Sequence, residues 1–247
     1  MDRLIYTALT GMNSAMARQR AVANNLANTG TPGFRGESFA VTPVTVKGSA
    51  LEVRALSQGG VRGADMRGGR LSTTGQALDI AMKGNALMAL QGADGAELYT
   101  RRGDLRLSAS GILENGDGLP VLGESGPISV PPGAQLSIGK DGRIFASDPA
   151  APDQPAQELG RIKLVSPAGS PLMKDIDGFL RVPGGGVLPS DLEAQVMAGT
   201  LEMSNVDASS TLIEMIDAQR AFEQRTRLIS TAGEIDEAGA RLMSLRA

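Results

Sequence analysis

Histidine, cysteine and tryptophan are absent from this chain of 247 residues, and its aromatics come down to five Phe and two Tyr. Without Cys or His there is no disulfide, no thiolate nucleophile, no ordinary zinc ligand set and no Ser–His relay. Loss of His also removes the side chain that titrates near neutral pH. The missing cysteines leave the redox compartment open. No apolar run approaches the roughly 20 residues of a membrane helix. The opening Met1-Asp2-Arg3-Leu4-Ile5-Tyr6 meets Thr7, Thr10, Asn13 and Ser14 too soon to hold the apolar core of a secretion signal. An excess of positive charge is lacking too. The 24 basic and 27 acidic residues leave a net charge of −3, without the basic footprint of a nucleic-acid binder.

What the chain does have is glycine and proline, 32 and 13 residues, which favour turns and therefore β structure. At about 100–200 residues per domain its length suits one large domain or two small ones. An enzyme built on carboxylates or lysine is the catalytic class that these absences leave open.

Two helices are expected, one at each end. In the first, over residues 3–28, Ile5, Ala8, Met12, Ala15, Gln19, Val22 and Leu26 alternate steps of three and four. Thr29-Gly30-Thr31-Pro32-Gly33 stops it. The second is expected over 208–245, behind the capping candidates Ser204-Asn205-Val206-Asp207. Ala208, Leu212, Met215, Gln219, Phe222, Thr226 and Ile229 form one seam; Leu228, Ala232, Ile235, Gly239 and Leu242 continue it in a shifted frame, which reads as a stutter. Each stripe must pair with the other, with copies of the chain, or with both. Charge favours pairing: residues 1–35 carry four Arg against one Asp, and residues 201–247 carry eight acids against five Arg.

Between the helices the pattern is β-like. Phe39–Thr42 and Leu51–Arg54 are short strand candidates in a Gly-rich linker. Asp94-Gly95 separates Leu87–Leu90 from Leu98–Thr100, and Lys140-Asp141-Gly142 separates Leu136–Ile138 from Ile144–Ala146, both as hairpins. Further strands are expected at Leu105–Ser108, Arg161–Val165 and Phe179–Val182, with a loop at Ala150–Pro155. The fold class is therefore α+β: paired N- and C-terminal coiled-coil helices flanking a linker region and a small all-β domain. The expected boundaries are 1–33, 34–74, 75–203 and 204–247.

Catalytic motifs fail on inspection. Gly139-Lys140 lacks the glycine spacing of a phosphate loop, and Asn115-Gly116-Asp117-Gly118 lacks the downstream Glu of a calcium loop. Gly123-Glu124-Ser125-Gly126-Pro127 has no His to activate its Ser. Asp175-Ile176-Asp177 could pair two carboxylates, yet beside Gly178 it reads as a surface turn. No catalytic, metal or cofactor-binding residue is nominated, and no cofactor is expected.

Specific segments carry a family resemblance. Val22-Ala23-Asn24-Asn25-Leu26-Ala27-Asn28-Thr29 with Pro32-Gly33-Phe34-Arg35 resembles the signature shared by flagellar rod and hook proteins, and the first twelve residues resemble its proximal-rod members. Ser204–Asp207 and Met215–Glu223 resemble the C-terminal signature of the same family. Thr74–Asp79, Tyr99–Gly103 and Gly116–Val121 resemble its β-domain motifs. In place of the usual Gly-Phe-Phe strand stands Ala86-Leu87-Met88-Ala89.

The resemblance implies a non-enzymatic proximal-rod subunit in the periplasmic part of the flagellar basal body, exported unfolded by the flagellar type III apparatus without cleavage. Its terminal helices would line the export channel in a hollow shaft that transmits torque, assembled with copies of itself and other rod proteins. No nucleic-acid partner and no transmembrane segment are expected. The residues assigned to the subunit interface are Ile5, Met12, Val22, Asn24, Asn25, Leu26, Asn28, Leu212, Met215, Gln219, Arg220, Phe222 and Ile229. The alternatives are a distal-rod or hook-type member, a carboxylate-dependent cell-wall hydrolase, and an export adaptor.

Overall fold

The computed structural model describes residues 2–45, 55–149, 151, 154–175 and 177–244. Helix α1 spans Asp2–Ala27 and helix α2 spans Ala208–Ser244. The strand candidate at Leu51–Arg54 lies outside the described residues, as do parts of the loop at 150–155 and Ile176. No helix among the described residues is long and apolar enough to cross a membrane. The chain divides into two units. One gathers Met1–Ala27, Glu37–Arg62 and Asp207–Ala247; the other gathers Asn28–Gly36 and Gly63–Val206.

In the helical unit, α1 and α2 pack on each other, and β1 (Glu37–Thr45), which pairs with β2 (Ala55–Ala64), packs on α1. Along α1 the seam positions Ala15 and Val22 are buried, and Ala8, Met12, Gln19 and Leu26 are half-buried. On α2 the line differs from the expected one. Thr211, Ala218 and Ala232 are buried, and Met215, Phe222, Arg225, Ile229 and Gly239 are half-buried. From Thr211 to Ala232 these positions step by four and three in turn, so a single seam runs through that stretch without the expected shift of frame. Ala208, Leu212, Gln219, Thr226, Leu228 and Ile235, placed on the seam from their periodicity, are exposed. The displacement has a simple origin. Arg225 belongs to the seam, where Gly11 of α1 leaves room: a Cβ there would lie 3.5 Å from Arg225 Nε. An arginine's stem packs as an apolar group while its head reaches out.

The globular unit carries β3 (Leu71–Thr73), β4 (Ile80–Met82), β5 (Leu87–Gln91), β6 (Glu97–Thr100), β7 (Leu105–Leu107), β8 (Leu113–Asn115), β9 (Leu122–Gly123) and β10 (Gly126–Pro127). These are followed by β11 (Gln135–Ile138), β12 (Arg143–Ser147), β13 (Gln157–Arg161), β14 (Leu164–Val165), β15 (Met173–Lys174), β16 (Leu180–Arg181), β17 (Val196–Ala198) and β18 (Thr200–Glu202). Both expected hairpins form, β5–β6 and β11–β12, in antiparallel register. The largest sheet has five strands in the order β14-β5-β6-β16-β15. The run Leu87-Met88-Ala89-Leu90 has no polar alternation because both faces of β5 are covered. Met88 and Leu90 enter a core with Ile80, Leu113 and Ile144; Leu87 and Ala89 enter a second with Tyr99 and Val165. The segment at 161–165 is broken into the end of β13 and the two-residue β14.

Two short pairings close this unit. Strand β17 returns to pair with β4, and β18 with β3, with Glu202 opposite Leu71. The beginning and end of the globular unit therefore lie side by side.

Candidate functional site

A buried polar knot sits where these ends meet, and it joins the sequence segments that flank the helices to residues from inside the unit. The connection following α1 turns at Asn28, whose carbonyl accepts from Thr31 N at 3.2 Å and whose Oδ1 accepts from Thr31 Oγ1 at 3.1 Å. It then passes through Gly33 at φ 67°, where a Cβ would collide with the backbone of Arg101 and Arg102. Glycine is required there both for the left-handed backbone and for the close approach. Gly33 N donates to Glu202 O at 2.7 Å, and Asn205 N donates to Phe34 O at 3.3 Å. Asn205 is a hub: its Oδ1 accepts from Gly36 N at 2.8 Å, and its Nδ2 donates to Asp65 O at 2.7 Å and Arg67 O at 2.9 Å. The Pro32–Arg35 and Ser204–Asp207 signatures, far apart in the chain, thus become one structural feature through Phe34, Arg35 and Asn205.

At its centre lies Glu202, 2 % exposed. Oε1 accepts from Gly69 N at 2.7 Å and pairs with Arg35 Nη2 at 2.8 Å. Oε2 accepts from Arg101 Nε at 2.8 Å and also from Arg101 Nη2. The rest of the Arg101 guanidinium donates to the carbonyls of Gly84, Ala86 and Met82. Arg35 Nη1 donates to Arg67 O, while its buried Nε has no hydrogen-bond partner among the described residues. Burial draws the Arg35 guanidinium below its ordinary pKa, against the opposing pull of Glu202. Lys174 completes the knot, with Nζ donating to Arg35 O at 2.8 Å and lying 3.7 Å from the centre of the Phe34 ring. Glu202, Arg101 and Lys174 carried no signal as a group in the sequence, because no local spacing links them.

The helical unit has polar anchors of its own. Asn25 brackets the backbone of Glu37: Oδ1 accepts from Glu37 N at 2.7 Å, and Nδ2 donates to Glu37 O at 3.2 Å. Asn24 Nδ2 donates to Glu37 Oε1. Ser14 Oγ accepts from Gly59 N at 3.1 Å, so both strands of the β1–β2 ribbon are fastened to α1. Asp207 caps α2, with Oδ2 accepting from Ser210 N at 2.8 Å; these backbone donors hold its carboxyl below the usual range.

The thirteen residues assigned to the interface divide by position. Met12, Val22, Leu26, Met215, Phe222 and Ile229 are buried or half-buried in the helical unit, and Leu212, Gln219 and Arg220 face outward on α2. Asn24 and Asn25 hold the ribbon within the chain, and Asn28 turns the connection after α1. Ile5 lies on α1 with its side chain outside the described residues. Elsewhere, Asp175 and Asp177 both pair with Arg181.

Both termini and the middle of the chain match family models. Residues 5–35 match the flagella basal body rod protein model, 81–146 the flagellar hook protein FlgE/F/G D1 domain, and 197–242 the flagellar basal body rod FlgEFG protein C-terminal model. These define the class as a structural protein of the flagellar axis. The flagellar basal-body rod protein FlgF of Escherichia coli (strain K12) is 38 % identical over 99 % of this chain and 100 % of its own length. FlgF of Salmonella typhimurium is 37 % identical with the same coverage, and FlgG of Bacillus subtilis is 30 % identical over 95 % of this chain and 97 % of its own length. The chain belongs to the flagellar basal-body rod protein family, and its role is that of a structural rod subunit.

Proposed function

We propose that the chain is a proximal-rod subunit that polymerises through α1 and α2 into the hollow shaft around the export channel. In this reading the helices run antiparallel as a coiled coil within one subunit, along the seam of Met12, Val22, Leu26, Met215, Phe222 and Ile229. Copies of the chain and other rod proteins meet the outward face that includes Leu212, Gln219 and Arg220. The subunit works in the periplasmic part of the basal body, reaches it through the flagellar type III apparatus without cleavage, and makes or breaks no bond. Higher identity to these two FlgF proteins than to the Bacillus FlgG supports a subunit of the FlgF type over one of the FlgG type.

The observation that carries the assembly reading is apolar surface left uncovered in the single chain. Leu212, Ile213, Ile216, Leu228 and Ile235 of α2 are 43–62 % exposed, and Leu9 of α1 is 41 % exposed. A polymer buries apolar surface of this kind between copies. Complementation of a rod-deficient strain tests the reading. Ile213→Asp and Leu228→Asp should abolish swimming without unfolding the subunit, and Lys140→Ala, on a turn of the globular unit, should swim normally. Swimming by both helix variants at the parental rate would overturn it.

A further inference from the structure

We propose that Glu202 is a positioning residue for assembly. Its carboxylate holds the segment after α1, the segment after β2 and the segment before α2 in one arrangement within the globular unit. The proposal rests on the assembly reading above and adds a residue that this reading does not contain.

The geometry carries it. A carboxylate offers about four acceptor directions, and all four are used here. Arg35 Nη2 and Gly69 N occupy Oε1, and Arg101 Nε and Nη2 occupy Oε2. The donors come from different stretches of chain. Arg35 lies in the connection after α1, Gly69 in the stretch between β2 and β3, and Arg101 directly after β6. Glu202 itself is the last residue of β18, five residues before the Asp207 cap of α2. One side chain therefore joins the points at which the chain leaves the globular unit to the body of that unit.

Chemistry favours a positioning role over a purely stabilising one. A buried triad of two cations and one anion can often be replaced by apolar side chains of similar volume without loss of stability. What an apolar cluster cannot reproduce is direction: a guanidinium fork on a carboxylate fixes both distance and orientation. Arg101 is held on its other side by three backbone carbonyls, so the fork presented to Glu202 is rigid. The paired exit segments inherit that rigidity through Gly33 N to Glu202 O and Asn205 N to Phe34 O.

The test uses the full-length chain in two variants, Glu202→Gln and the neutral replacement Arg35→Met/Arg101→Met/Glu202→Leu. The first readout is amide hydrogen exchange in the dilute subunit. The reporters are Gly33, Gly36 and Asn205 in the knot, with Ala89 and Val196 in the strands as controls. The account expects the knot amides to exchange at least about tenfold faster in both variants while Ala89 and Val196 stay protected, since opening is local. The thermal midpoint of the neutral triple variant should return toward that of the parent, while its co-assembly with other purified rod proteins, the second readout, stays lost. Parental protection of Gly33, Gly36 and Asn205 in the triple variant would overturn the proposal, as would parental co-assembly. So would loss of protection at Ala89 and Val196 together with the knot, since Glu202 would then hold up the whole unit rather than its exits. A parent chain that fails to assemble would overturn the rod reading instead, and the exchange result would stand apart from it.

Discussion

Single polar groups in this protein do defined work because burial gives them few substitutes. Tyr99 is fully buried, its hydroxyl donating to Glu97 Oε2 at 3.0 Å and accepting from Leu188 N at 2.8 Å. Tyr99→Phe strands the Leu188 N–H in an apolar surrounding, and urea unfolding should show a loss of about 1–3 kcal/mol. Burial also pushes the phenol up to about 12 from its ordinary 10.0. The folded state then holds the proton that the unfolded chain gives up, so this group's contribution is full below pH 10 and fades as pH rises toward 12. Asp207 works in the opposite sense. Its carboxyl is held below 3.8 by the backbone and hydroxyl of Ser210, so its cap is present above that pH and is lost as pH falls through the lowered value. The Ser210 amide should lose exchange protection over that acidic range before the centre of α2 does, and Asp207→Ala should remove the pH dependence.

At the scale of elements, legibility followed period. Helix α1 was expected over 3–28 and spans 2–27, because three-and-four spacing and a Thr-Gly-Thr-Pro-Gly stop are local signals. The two hairpins were legible from Asp94-Gly95 and Asp141-Gly142, whose glycines take φ of 80° and 81°. The α2 seam was misread for a physical reason. Counting apolar side chains passes over Arg225 and Thr211, which occupy seam positions, and accepts Leu212 and Leu228, which point outward. Since Phe222 lies on both the expected and the observed line, Phe222→Asp would put an unpaired charge between α1 and α2. The expected outcome is a helical unit destabilised by several kcal/mol, read as a low-temperature loss of helical circular dichroism. The ribbon offers a second element-scale test. At Gly59 an added Cβ would lie 2.7 Å from Phe39 Cζ and 2.9 Å from Ser14 Cβ, so β2 approaches α1 only because no side chain intervenes. Gly59→Val should lift the ribbon at a cost of about 1–3 kcal/mol, seen as faster proteolysis within 37–62 and loss of protection at residue 59.

For the molecule as a whole, what escaped the sequence was non-local. The pairings of β4 with β17 and β3 with β18 involve three-residue strands far apart in the sequence, too short to show a period. The knot around Glu202 depends on those pairings, so it could not be read before them. The signature residues of the two terminal segments were visible, but not that Phe34, Arg35 and Asn205 are joined by hydrogen bonds to the same few groups. Asn24 and Asn25 were assigned to contacts between subunits, and within the chain they hold the ribbon. The central claim is that this chain is built into the rod by its terminal helices. Electron cryomicroscopy of intact basal bodies from the cell that makes it tests this most directly. The account predicts density for the chain in the proximal rod, with α1 and α2 lining the channel and Leu212, Ile213, Ile216 and Leu228 covered by neighbouring subunits. Rods complete without this chain, or a chain seated in them with both helices turned to solvent, would contradict it.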